Sequence, residues 1–359
     1  MNRIQKLLAE WRAAQPIKPD LQHRMDQSFM IDFNYNSNHL EGNTLTYGQT
    51  RLLLLFGKIK GEALMRDCEE MKAHNVGLEM MKIEALDRER PLSESFIREL
   101  NSTILAGDFF KVSSDGQSKY KIHTGVYKTR PNSVITPSGE MFDYASPEET
   151  PSMMGDLVRW YNDAEQAARL TPVELAALFH YRYIRIHPFE DGNGRIARLL
   201  VNYILLRHGY PMIVILNSDR RHYLDVLGQC DDAVGREPYK GADATLEQIK
   251  PFVDYIAEYV VRKIQFALDT LAEINAGFHN DFVETDNKEV KGEDASKVSN
   301  MDYRLIEELK FKPSITAAEL AKMLNKSEIT IKRYLKNLQK TGKLERIGSD
   351  KTGTWKVIL

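Results

Sequence analysis

The sequence predicts a mainly α-helical chain with a small β insertion and a C-terminal unit of three helices and a hairpin. Three observations point there. Apolar residues recur at three- and four-residue spacing through stretches such as "RLLLLFGKIKGEALMRDCEEMKAHNVGLEMMKIEALD". From Gly107 to Pro151 the rhythm gives way to Thr, Val, Tyr, Pro and Gly, which suits short strands and turns. From about residue 301 three short helical patterns are followed by alternation around a turn.

The 359 residues exceed one ordinary domain, and about two to three are expected. A hydrophobic share of 42% and a charged share of 28% describe a globular chain rather than a disordered one. The net charge of −2 names no partner by itself. Cys68 and Cys230 cannot build a disulfide framework or a zinc pattern. A reducing, cytoplasmic setting is expected. "MNRIQKLLAEW" lacks the apolar run of a signal peptide. "LLLLF", Leu52 to Phe56, falls far short of the ~20 residues a bilayer span needs. It reads as a core helix segment, and no membrane partner is expected.

Residues 1–90 read as a helical region, with Met71, Leu78 and Met81 as core packing. "PLSESFIRELNSTIL" is a further helix, capped by Ser93 or Ser95. A hairpin is expected near Val126 to Thr136. In "TPVELAALFHYRYIRIHP", Thr171 is the N-cap, Pro172 opens the first turn and Glu174 completes a capping box. That helix should end before Pro188, leaving His187 on a loop. The next helix starts near Asn193 and stops at Gly209 and Pro211. "PFVDYIAEYVVRKIQFALDTLAEI" is a long helix, and residues 276–300 read as a linker. The expected domains are thus 1–90, 91–275 and 301–359.

The stretch from His187 to Arg198, "HPFEDGNGRIAR", concentrates unusual chemistry. Glycine lets backbone amides approach a ligand closely. A helix start offers unpaired N–H donors and partial positive charge. Gly192-Asn193-Gly194 entering a helix is therefore a phosphate cradle. Arg195 and Arg198, three apart, share a face and suit a polyphosphate. Glu190 and Asp191 stand at its mouth, and a carboxylate beside phosphates implies Mg²⁺. His187 can take a proton near neutral pH. No Walker A motif, dinucleotide fingerprint or protein-kinase set accompanies them.

These twelve residues resemble the Fic family, matching its HPFx(D/E)GNGRxxR signature without departure. The similarity covers about residues 30 to 250. Doc-type phosphotransferases carry Lys where this chain has Gly194, so the adenylylating branch is the closer match. The resemblance implies a helical core with a β-hairpin flap and transfer of AMP from ATP to a Ser, Thr or Tyr hydroxyl of a target protein. It implies His187 as general base, Phe189 as the anchor of the loop and Asp191 as the ligand of Mg²⁺ (or Mn²⁺). ATP contacts would come from Gly192, Asn193, Gly194, Arg195, Ile196, Ala197 and Arg198. Tyr223 would reach the adenine, or be a core tyrosine. Val134, Ile135 and Thr136 would form the flap strand that docks the target by main-chain pairing.

A second stretch, "SNHLEGN", places Ser37 and Glu41 one helical turn apart before Gly42. It resembles the (S/T)xxxE(G/N) inhibitory motif of class II Fic proteins. The resemblance implies that Glu41 pairs bidentately with Arg198 and withholds it from the γ-phosphate.

Residues 301–359 carry 13 Lys plus Arg against 7 Asp plus Glu, a net of +6, leaving the first 300 near −8. Three helices and a hairpin with Lys351 at its turn resemble a winged helix-turn-helix. "SEITIKRYLKNLQKTG" would be its recognition helix, with Lys332, Arg333 and Lys336 toward the phosphates of duplex DNA. A protein-contact wing fits the same pattern. Two function classes stay open: an autoinhibited adenylyltransferase, or a DNA-binding regulator that senses nucleotide without catalysis. Removal of AMP from the target and a homodimer are further possibilities.

Overall fold

Four helices come first: α1 (Arg3–Ala13), α2 (Pro19–His39), α3 (Tyr47–Phe56) and α4 (Met65–Leu86). The computed structural model describes residues 3–112, 117–135, 141–275, 305, 309, 313–323, 327–349 and 353–358. Contacts divide the chain into two units, Met1–Asp269 and Thr270–Leu359.

In the first unit α5 (Glu94–Ile104) follows, capped by Ser93, whose hydroxyl accepts from the Phe96 amide. Two small antiparallel sheets come next. β1 (Phe109–Val112) pairs with β2 (Lys119–Ile122), and β3 (Val134–Ile135) with β4 (Met141–Phe142) in the register Val134↔Phe142 and Ile135↔Met141. The expected hairpin from Val126 is therefore displaced toward the C-terminus. Residues 126–133 are not strand, because Pro131 has no amide to donate and the polar groups of Lys128 and Asn132 are spent elsewhere. Thr136 lies outside the described residues.

Then come α6 (Thr150–Ala167), α7 (Pro172–Ile186), α8 (Asn193–Arg207), α9 (Arg220–Val234), α10 (Pro238–Ala242) and α11 (Lys250–Asn275). The boundaries of α7 follow its sequence: the Thr171–Glu174 capping box is formed and the helix ends at His187. α7 and α8 are the central pair, with Ala176, Phe179, Tyr183, Ile196, Leu199, Leu200 and Tyr203 fully enclosed. α4 and α5 pack on α8, and α6 packs on α7. Leu7, Leu8 and Phe29 join the same core as Leu78, Ile97 and Leu199, so the N-terminal helices share one interior with those that follow. Met71, Leu78 and Met81 are buried as expected. "LLLLF" is not a core segment throughout: only Leu53 is buried, and Phe56 is 63% exposed. Amphipathic α3 packs one face on α4 and leaves the other to solvent.

The second unit contains helical positions Leu305 and Leu309, then α12 (Ala317–Met323), α13 (Glu328–Lys340) and a hairpin of β5 (Leu344–Ile347) and β6 (Thr354–Val357). Thr316 and Ser327 cap α12 and α13 through their hydroxyls. Leu309, Leu320, Ile331, Leu335, Leu338 and Leu344 close its core, a winged helix-turn-helix. The expected linker and Lys351 lie outside the described residues. Among those residues no helix is long and apolar enough to cross a membrane.

Candidate active site

The loop between α7 and α8 carries the site. His187 ends α7 in the left-handed region (φ 52°, ψ 61°), a costly conformation for a residue with a Cβ. Pro188 keeps it from continuing the helix, and the left-handed turn redirects the chain at His187. The Nδ1–H donates to Ile184 O at 3.3 Å, which leaves Nε2 as the basic nitrogen. Tyr144 stacks on the imidazole, centroids 4.0 Å apart and planes 18° apart. Burial, then the charge of Lys128, push the imidazole down to about 4, so it is neutral at physiological pH.

Phe189 is buried against Tyr127, as expected of an anchor. Glu190 does not face a ligand. Its carboxylate accepts from the Thr129 amide and hydroxyl and pairs with Arg130 at 2.8 Å. Asn193 also turns inward, bonding both the amide and the carbonyl of Phe189 and so closing the loop. Gly192 takes φ 84° to start α8. No side chain caps that helix, and Ile196 already donates its amide to Gly192 O. The donors left for an anion are therefore those of the first turn, at Asn193, Gly194 and Arg195. Ile196 and Ala197, expected among the nucleotide contacts, point into the core.

Asp191 stands beside this helix start. Arg195 lies 3.2 Å from its Oδ1, Lys111 Nζ lies 3.3 Å from its Oδ2, and the Gly192 amide donates to Oδ1 at 2.6 Å. Burial opposes its charge, but Arg195, Lys111 and that amide outweigh burial and hold the carboxyl below its ordinary range. Arg195 further faces Glu70 at 3.7 Å. Asp191 is a single carboxylate already surrounded by cations. That suits a divalent ion arriving with phosphates rather than a closed protein cage. Among the described residues no three His, Cys, Asp or Glu converge as a metal site.

Arg198, its side chain 4% exposed, meets the second motif. Its Nε donates to Ser37 Oγ at 3.0 Å and its Nη2 to Ser37 O at 2.8 Å and Glu41 Oε1 at 2.7 Å. The expected bidentate fork on Glu41 is thus a single contact, with Nε and a second Nη2 bond on Ser37. The reason is local: α2 ends at His39, so Glu41 sits in the following turn, offset from the Ser37 face. Burial works against Glu41, but Arg198, by field and hydrogen bond, and Arg195 hold its carboxyl below the usual range. A Cβ on Gly194 would collide with Glu41 Oε1, so the glycine admits this carboxylate to the start of α8. Glu41 thus lies between Arg198 and the start of α8.

His74 was not legible from any local motif. Its Nδ1 donates to Asn34 Oδ1 at 2.7 Å and its Nε2 accepts from the Ser37 hydroxyl at 3.2 Å. Burial and the two arginines keep it neutral, which leaves Ser37 Oγ free to accept from Arg198. Tyr223 lies in the core, 5% exposed, with its hydroxyl 2.8 Å from His180 Nε2. That placement agrees with the core alternative, and the hydroxyl also meets Arg198. In the second unit Lys332, Arg333 and Lys336 are exposed on α13, and Lys332 pairs with Glu328 at 2.6 Å.

The profile of the Fic/DOC family matches residues 91–205, and that of a winged helix-turn-helix DNA-binding family matches residues 299–345. A crystal structure of a Fic domain containing signaling protein from Bacteroides thetaiotaomicron is 56% identical and superposes with a TM-score of 0.72, covering 79% of this chain and 100% of that one. Protein adenylyltransferase fic-1 of Caenorhabditis elegans is 30% identical over 247 residues, 68% of this chain and 42% of that protein. A solved structure of Fic-1 from the same organism is 28% identical, with a TM-score of 0.55, covering 73% of this chain and 68% of that one. The chain spans about two fifths of the length of the curated relatives it matches.

Proposed function

Because the chain belongs to the Fic/DOC family, we propose that it transfers AMP from ATP to a hydroxyl of a protein target and is held off by Glu41. The observation that carries this reading is the convergence at the start of α8. A neutral imidazole with Nε2 available, first-turn amides and two arginines surround a place now taken by one carboxylate. The names of the curated relatives support the same chemistry.

The incoming Ser, Thr or Tyr hydroxyl gives its proton to His187 Nε2 as its oxygen bonds to the α-phosphorus. The bond from that phosphorus to the α–β bridging oxygen breaks, and pyrophosphate leaves. Arg195, Arg198 and the amides of Gly194 and its neighbours hold the departing charge. Asp191 is the residue that would hold Mg²⁺ or Mn²⁺, which when bound neutralises phosphate charge. Base catalysis of this kind contributes ~10²–10⁴-fold. The strand β3 is the edge on which a target segment would pair.

Incubation with labelled ATP tests the reading. Label on protein from the α position is expected. Label from the γ position would mean phosphotransfer, and none from either would leave a nucleotide sensor. For the second unit we propose contact with duplex DNA, supported by the matched profile and the exposed cations of α13. A salt-dependent affinity for duplex, lost with residues 301–359, tests it. A cytoplasmic location and a homodimer belong to the same proposal, the latter open to sedimentation.

A further inference from the structure

Lys128 is the only buried lysine among the described residues, 3% exposed. Its Nζ donates to Asn132 Oδ1 at 2.8 Å and to Ile186 O at 3.1 Å. Both acceptors are neutral, and Glu149 favours its charge only through space. A buried cation with no carboxylate against it is expensive to keep. Burial pushes its ammonium down to about 8, so it still carries a proton through neutral pH.

Its surroundings show what it holds. The Lys128 amide donates to Pro188 O at 2.8 Å. Asn132, fixed by Lys128, donates to His187 O at 3.2 Å and Phe189 O at 2.9 Å. Ile186, His187, Pro188 and Phe189 thus each give a carbonyl to Lys128 or its partner. These are the residues of the left-handed turn that aims the imidazole.

We propose that Lys128 is a positioning residue for His187, its ammonium clamping the left-handed turn and facing the imidazole with a positive charge. This rests on His187 being the base. Lys128 and burial oppose a proton on that ring; Glu41 and Asp191 favour one, the Ile184 carbonyl accepts from it, and Tyr144 covers one face. Burial is the larger influence, and the buried Lys128 charge adds to it from behind the turn. A strut alone would need only a hydrogen-bond donor.

The test uses the full chain with Glu41→Gly and adds Lys128→Met, Lys128→Gln or Lys128→Arg. The titration of the His187 ring is followed by NMR, its resonance identified by loss in His187→Ala. In the Met and Gln variants the midpoint should move upward, and in the Arg variant it should stay. The acid limb of kcat for AMP transfer should move with it. In Lys128→Met, kcat should fall by about 10²-fold at unchanged KM for ATP, as for a misplaced reacting group. Coincident titrations in folded Gln and Arg variants would overturn the proposal. If the Glu41→Gly parent transfers no AMP, the functional reading fails, while the ring titration still decides the role of Lys128.

Discussion

Replacing Glu41 by glycine should raise the proposed AMP transfer, and the structure sets the size of the effect. Arg198 is almost wholly enclosed, whereas the Glu41 side chain is 39% exposed. Fully exposed pairs contribute ~0–1 kcal/mol, and breaking a buried pair costs ~3–5 kcal/mol. A half-open pair with one contact at 2.7 Å falls between, at about 2 kcal/mol. At about 1.4 kcal/mol per factor of ten, that holds Arg198 away from phosphate about 30 times more often than not. Arg198 keeps both bonds to Ser37 in the variant, so it is neither released nor orphaned.

The assay is the initial rate of α-label incorporation into protein, at matched folded concentration. Glu41→Gly should raise it about 30-fold. Glu41→Ala should match that value, since the change removes the same carboxylate without added backbone freedom. Glu41→Gln should fall short of both, because its amide oxygen can still accept from Arg198 Nη2 while its charge is gone. Equal rates in the parent and all three variants, with equal ATP affinity, would refute the occupied-anion-site argument.

The other expectations are these. His187→Ala should abolish transfer while calorimetric ATP binding survives, because the ring makes no contact the phosphates require; parental labelling by this variant would remove His187 as the base. With the imidazole pushed down to about 4, kcat/KM of the Glu41→Gly chain should stay flat from neutral pH to about pH 5 and fall only as the ring protonates. A half-loss near the ordinary 6.5 would show an unshifted histidine. Gly194→Ala drives a methyl against Glu41 Oε1 and should lower Tm by about 2–4 °C, for about 1 kcal/mol. The same change in the Glu41→Gly background should cost less, because only the approach to Arg198 Nη1 at 3.0 Å remains, and equal losses in both backgrounds would show that Glu41 is not what the methyl strikes.

What was legible in the sequence was whatever a short window encodes. The capping box at Thr171, the stop at Pro188 and the helix start at Asn193 are local chemistry, and each stands where its residues put it. Direction is another matter. Glu190 and Asn193 read as ligands because their types and positions suit a ligand, yet both are used up closing the loop. A polar side chain beside a glycine turn has two sets of donors to choose from, and only packing decides. Tyr223 shows the same limit, since an aromatic ring four residues after Asp219 can line a pocket or fill a core.

The residues that sequence reasoning missed share one property: their partners are remote in the chain. His74 meets Ser37 across 37 residues, and Lys128 meets Ile186 across 58. No periodicity spans such gaps. Together they explain why the two motifs work as one device. Asn34 fixes the His74 tautomer, His74 takes the Ser37 hydroxyl hydrogen, and Ser37 Oγ is thereby left to accept from Arg198. On the other side Lys128 and Asn132 fix the turn that aims His187. The histidine turn and the Arg198 cluster are therefore both built while Glu41 is in place. On the proposed reading Glu41 withholds a place for phosphate, and release would require only that one half-exposed carboxylate move.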